Sequence, residues 1–109
     1  MTLEEFLASN LRSVWVREPG IAVYVRKGLH VILDEGAYTL DVANVEVDEA
    51  LRHKGVFKAW LAKAERLNPY PFVYVENVHN PILHDFLVRE GYSTLPLQCY
   101  TKRLQASKN

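Results

Sequence analysis

The sequence predicts a mixed α+β fold, a mostly antiparallel twisted sheet with a central β-α-β unit and helices on its faces. Runs rich in β-branched and aromatic residues at 21–25, 29–33 and 37–47 follow one another across short turns, the pattern of an antiparallel meander. A helical pattern of Val56, Phe57, Trp60, Leu61, Ala64 and Leu67 then separates the third run from a short apolar run at 72–75. A connection of that length lets those two strands be parallel. Pro19-Gly20, Asn68-Pro69, Pro81 and Gly91 punctuate the segments.

Taken in order, Thr2 and Glu5 have the spacing of a capping box, and Leu3, Phe6, Leu7 and Leu11 continue it as a short amphipathic helix that ends before Val14. Arg26-Lys27-Gly28 reads as the connection between the first two strands, and Asp34-Glu35-Gly36 as the turn into the long third one. Polar residues cluster from 48 to 55 before the central helix, which Asn68-Pro69 stops. Pro81 fits the first turn of another helix carrying Ile82, Leu83, Phe86 and Leu87, closed by Gly91. A last strand fits 97–104, and the polar residues 105–109 read as a frayed tail.

Composition narrows the function classes. At 109 residues, with 49% hydrophobic and 24% charged residues, the chain is expected to form one soluble domain without needing staples. Thirteen Lys plus Arg balance thirteen Asp plus Glu, so neither nucleic acid nor an anionic membrane is expected as partner. A single cysteine, Cys99, excludes an internal disulfide. His30, His53, His79 and His84 are scattered without ligand spacing, so no metal site is expected and they read as surface or turn residues. No apolar run approaches the ~18 residues of a membrane span, and Thr2-Leu3-Glu4-Glu5 is no basic leader, so a cytoplasmic location is expected.

The stretch Arg52-His53-Lys54-Gly55-Val56-Phe57 places a glycine at a helix start among basic residues. Amides there have no intrahelical partner, and the helix dipole favours an anion. Here the chain resembles motif A of the GNAT superfamily of N-acyltransferases, in which an Arg or Gln, two residues and a Gly wrap the pyrophosphate of coenzyme A. Phe57 stands where the family usually has Gly or Ala. Downstream, Asn80, Leu83, Phe86-Leu87 and Arg89-Glu90-Gly91-Tyr92 are similar to motif B, and the resemblance covers about residues 21 to 104. It implies a splayed pair of parallel strands whose gap takes the pantetheine arm of acetyl-CoA. Val45 and Val47 would line that gap, the Val47 amide would face the thioester carbonyl, and Asn80 would contact the coenzyme. Arg52, His53, Lys54, Gly55, Val56 and Phe57 would form the pyrophosphate cradle.

The resemblance further implies acetyl transfer to an unidentified amine, on a small molecule or a protein, by direct attack. A lysine-type amine, with a pKa of roughly 10.4, is almost entirely protonated at neutral pH, so a base is useful. Asp41 falls where several family members carry a carboxylate, with Glu46, on the opposite face of the same strand, and Glu76 as the other candidates; each could equally be a solvated or salt-bridged side chain. The family's tyrosine acid falls at Leu87 here, leaving Tyr92 or Tyr100 as substitutes. Trp60 and Phe57 read as core, Cys99 as a small buried residue, and Arg26 and Lys27 as solvated or rimming an acceptor site. The short N-terminal region leaves the acceptor side open, which suits a macromolecular acceptor, a homodimer supplying the missing wall, or a scaffold that binds a protein without catalysis.

Overall fold

In the computed structural model, which describes residues 1–76, 78 and 80–104, Thr2 and Glu5 close the capping box that their spacing predicts. Glu5 N–H donates to Thr2 Oγ1 at 3.2 Å and Thr2 N–H to Glu5 Oε1 at 2.8 Å. Helix α1 (Leu3–Ala8) follows and buries Leu3 and Phe6. Strand β1 (Ser13–Glu18) is an addition to the sequence reading, which began its strands at Ile21. Val14 and Val16 alternate with Trp15 and Arg17, and β1 pairs antiparallel with the next strand across the Pro19-Gly20 turn.

The connection expected at Arg26-Lys27-Gly28 does not exist. A single strand β2 (Ile21–Ile32) runs through it, and Gly28 lies opposite Thr39 of β3 (Glu35–Val47). Gly28 serves close approach instead of a turn: a Cβ there would stand 2.5 Å from Asp41 Oδ2 and 2.7 Å from Thr39 Oγ1. The chain reverses at Leu33 and Asp34, both at positive φ (53° and 65°), so the turn begins one residue before the predicted Asp34-Glu35-Gly36.

A 3₁₀ turn at Glu49–Leu51 leads to helix α2 (Val56–Leu67), and β4 (Phe72–Val75) then pairs parallel with β3 from Thr39↔Phe72 to Val42↔Val75. This is the expected β-α-β unit. Helix α3 (Pro81–Arg89) begins at its proline. The expected final strand at 97–104 starts two residues later, as β6 (Cys99–Arg103), because Leu97 and Gln98 take left-handed conformations, and it forms a short hairpin with β5 (Ser93–Leu95), a strand the sequence did not predict. The six strands lie in the order β1-β2-β3-β4-β6-β5. Residues 105–109, read as a tail, fall outside the described residues, and no described helix is long and apolar enough to cross a membrane.

Register assigns the core to one face of the sheet. Val16, Val23, Val25, Leu40, Val42, Val73, Val75 and Tyr100 share that face and join one cluster with Leu3 and Phe6 of α1, Trp60, Leu61 and Ala64 of α2, and Leu87 of α3. Burial of a side chain such as Leu61 contributes about 1.5–3 kcal/mol. The opposite face carries Trp15, Tyr24, Arg26, His30, Asp41, Tyr74 and Thr101.

The β2–β3 register slips once. Tyr24 pairs with Asn44 and Val25 with Val42, leaving Ala43 as the extra residue of a β-bulge. Simple alternation would set Val45 and Val47 against Val42; the bulge returns them to the core face, opposite Val23 and Ile21. It also corrects the expectation for Glu46, which lies opposite Ala22 and so shares the face of Asp41.

Candidate functional site

Beyond Val42↔Val75 the parallel strands part. Glu76 N–H still donates to the Val42 carbonyl at 3.0 Å, but Val78 N–H donates to Gln98 at 2.9 Å, on the far side of β4. The resulting gap is a cavity of about 400 Å³ lined by residues that include Val42, Val45, Val75, Glu76 and Asn80. Asp48 N–H donates to the Gly20 carbonyl, so alternation turns the backbone groups of Val45 and Val47 away from β2; Val45 lines the gap, and Val47 lines the groove beyond it. Both are partly spoken for. Asn44 Oδ1 accepts from Val45 N–H at 2.8 Å, and Arg52 Nε reaches the Val47 carbonyl at 3.4 Å.

A wider groove of about 1310 Å³ continues from the gap, sharing Val45, Phe57, Asn80 and Leu83 with it and reaching the start of α2. Gly55 stands there as the N-cap at φ 79° and ψ 14°, without a side-chain cap. The amides of Val56, Phe57 and Lys58 therefore lack intrahelical partners. A Cβ on Gly55 would meet nothing within 4 Å. Arg52, His53 and Lys54 are exposed beside it. This is the donor set an anionic diphosphate needs: free amides at the positive end of a helix, basic side chains, and a backbone no side chain covers. Phe57 does not obstruct it, since its ring packs at 6.3 Å from Trp60 and edge-on at 6.3 Å from Phe86.

Asn80 lines both cavities and also caps α3, its Oδ1 accepting from Ile82 N–H at 2.8 Å and Leu83 N–H at 3.4 Å. The three candidate carboxylates differ in setting. Glu46 is exposed and lines the wide groove. Glu76 lines the gap and pairs with Arg26 Nη2. Asp41 is 2% exposed and lines neither cavity; Oδ1 accepts from Thr39 Oγ1 at 2.5 Å, while Oδ2 lies 2.9 Å from His30 Nε2 and 3.6 Å from Arg26 Nε.

Arg26, read as solvated or rimming an acceptor site, joins Asp41 to Glu76. His30 is no surface histidine; it bonds Asp41 and stacks on Tyr74 at 3.8 Å between centroids. Burial, followed by the contact with Cys99, pushes the Tyr74 hydroxyl up to about 12. Had 21–32 been read as one strand, Arg26 would have fallen opposite Asp41 and His30 beside it, and the cluster would have been visible. His84 likewise is half-buried on α3 and bonds the Tyr100 hydroxyl, while His53 sits in its turn as expected. His79 lies outside the described residues. His30, Asp41 and Glu76 bring one ligand atom each within 4.8 Å of one another, but the Arg26 guanidinium already supplies the positive charge among them. Leu87 is core, Tyr92 donates to Glu65 Oε2 at 2.7 Å, and Cys99 is buried in β6. Burial first, then Glu65, holds the Tyr92 hydroxyl well above its ordinary range.

The six-stranded, mostly antiparallel sheet with one parallel pair and the three helices of the described residues make a GNAT-like fold. No protein-family model matches the sequence, and no curated protein matches it. Among solved structures it is similar to a KacTA–DNA complex, with a TM-score of 0.63 and 13% identity over 77% of this chain and 58% of that one. It is also similar to an AtaT mutant toxin bound to the C-terminus of the antitoxin AtaR, solved with and without acetyl-CoA, with a TM-score of 0.64 and 13% identity over 77% of this chain and 58% of that one. At such identity the likeness is one of fold, and the chain spans less than two thirds of either neighbour's length.

Proposed function

We propose that this chain is an acetyl-CoA-dependent N-acetyltransferase. One observation carries the reading: the gap between β3 and β4 and the uncapped start of α2 form a continuous groove, through Val45, Phe57, Asn80 and Leu83. An extended ligand with a diphosphate at one end and a hydrogen-bonding arm at the other suits it. The free amides after Gly55 would take the diphosphate, with Arg52, His53 and Lys54 adding charge, and the β3 backbone at Val45 and Val47 would pair with the arm. Acetyl-CoA, the ligand in one neighbour of the same fold, has that form and brings an acyl group already activated as a thioester.

On this reading the protein contributes mostly by holding an amine beside the thioester, an orientation worth several powers of ten. The Val47 amide, turned away from β2 along the groove, would stabilise negative charge on the carbonyl oxygen. Glu76 lines the gap and is the base in this scheme, with Arg26, Asp41 and His30 fixing its position. Glu46 would face an acceptor arriving along the wide groove. Leu87 leaves the thiolate to depart without the family's tyrosine, which its low basicity permits. The scaffold alternative predicts the same fold without the ligand. Isothermal titration with acetyl-CoA separates the two: saturable one-site binding supports the transferase, and no heat at millimolar ligand sinks it.

A further inference from the structure

The β2–β3 hairpin outruns its neighbours. β1 pairs with β2 only as far as Ser13↔Arg26, and Lys27 N–H makes the last bond to that side, to the Arg12 carbonyl at 2.8 Å. On the other side β4 pairs with β3 only from Thr39 onward. The arm beyond is a two-stranded ribbon, an element of marginal stability on its own. Since Lys27 points its backbone outward, alternation turns the N–H and C=O of Leu29 and Val31 outward too, and no described strand pairs them. Their side chains stand on the same face as Tyr38, which lies opposite Leu29, and Leu33 follows at the turn. These four apolar side chains are 65%, 78%, 81% and 64% exposed in the order Leu29, Val31, Leu33, Tyr38. Gly36, opposite Val31, adds no cover.

We propose that this edge is an interaction surface for a second copy of the chain, joined by antiparallel pairing of β2 with β2 about a two-fold axis at His30. Leu29 of each copy then exchanges both backbone hydrogen bonds with Val31 of the other, and the two apolar strips become one continuous face. Charge favours this occupant over an arbitrary strand. Antiparallel pairing carries the exposed acidic tip, Asp34 and Glu35, toward the base of the other arm, where Arg12 is exposed. A formal net charge of zero opposes no self-association. An unpaired, apolar edge of this kind is otherwise a route to aggregation, and closed two-fold pairing removes it.

Sedimentation of the full chain over a concentration series tests this. The wild type is expected to reach a plateau at twice the monomer mass. Val31→Pro removes an N–H that the monomer does not use, so at concentrations where both are monomeric it should keep the melting temperature and acetyl-CoA binding of the wild type, while raising the dimer dissociation constant at least about tenfold. Should Val31→Pro fail to fold, Leu29→Glu, on an exposed side chain, reads the same edge and should weaken dimerisation as much. Arg12→Glu should weaken dimerisation and Asp34→Arg restore it in the double variant. A wild type that stays monomeric, assembles without a dimer plateau, or dimerises equally well as a folded Val31→Pro or Leu29→Glu variant overturns the proposal. Coenzyme titration, read separately, is unaffected by any of these results.

Discussion

Replacing Gly55 with glutamate separates the fold from the ligand. A side chain at φ 79° costs about 1–2 kcal/mol of backbone strain, and nothing within 4 Å of its Cβ adds to that, so the variant should remain folded. Binding should suffer far more. A carboxylate about 4 Å from one phosphate charge, at an effective dielectric near 20, raises the energy by about 4 kcal/mol. Salt screening at this exposed turn reduces the figure, so the expected loss is roughly a hundred- to a thousandfold in Kd. Gly55→Ala carries the same strain without the charge and should lose less than about tenfold. Calorimetry gives the three constants, and thermal melting gives an independent check, since ligand at a hundred times Kd adds about 2.7 kcal/mol to a protein that binds it. If Gly55→Glu binds acetyl-CoA as tightly as the wild type does, no phosphate sits at the start of α2 and the cradle is misassigned.

Gly28→Ala should destabilise the protein by about 1–3 kcal/mol in urea unfolding, because the new methyl meets the Asp41 carboxylate; a more stable variant, as strand propensity alone would give, contradicts that contact. Glu76→Gln should leave the Kd for acetyl-CoA unchanged and lower kcat by about 10²- to 10⁴-fold once an acceptor is in hand, and an unchanged kcat removes Glu76 as the base. Above pH 10 the protein should lose stability: the folded state holds the Tyr74 proton up to about 12 against 10.0 when unfolded, so the contribution is intact below pH 10 and declines from there to about pH 12. Buried Tyr92 acts in the same direction, and melting curves of Tyr74→Phe should show a shallower decline; an identical one would contradict the assignment.

Segments with strong local signals were legible from the sequence. The capping box at Thr2, the apolar stripe of α2, the proline opening α3 and the dense run of β4 each state their structure within a few residues. The misreadings came from long-range geometry. Gly28 looks like a turn residue, yet its reason is Asp41, thirteen positions away and reached only across a strand pair. Val14 and Val16 form too short an alternation to stand out, and β1 gains its identity from pairing with β2. The uncapped start of α2 among Arg52, His53 and Lys54 was visible because it is contiguous in the chain. The cluster of Arg26, His30, Asp41 and Glu76 was not, because it draws on three segments and the first had been divided at the wrong place.

The extra residue at Ala43 sits where the β3–β4 seam ends, one position past the last parallel pair. A bulge bends and twists its strand, so the opening follows from a miscount between neighbouring strands more than from the bulk of any side chain. Enlarging or trimming Val42, Val45 or Val75 would alter the walls without shutting the slot; removing one residue at position 43 would let the seam zip onward. A slot specified by chain length outlasts changes in the chemistry around it. The residues around the opening can thus change while the opening itself is retained.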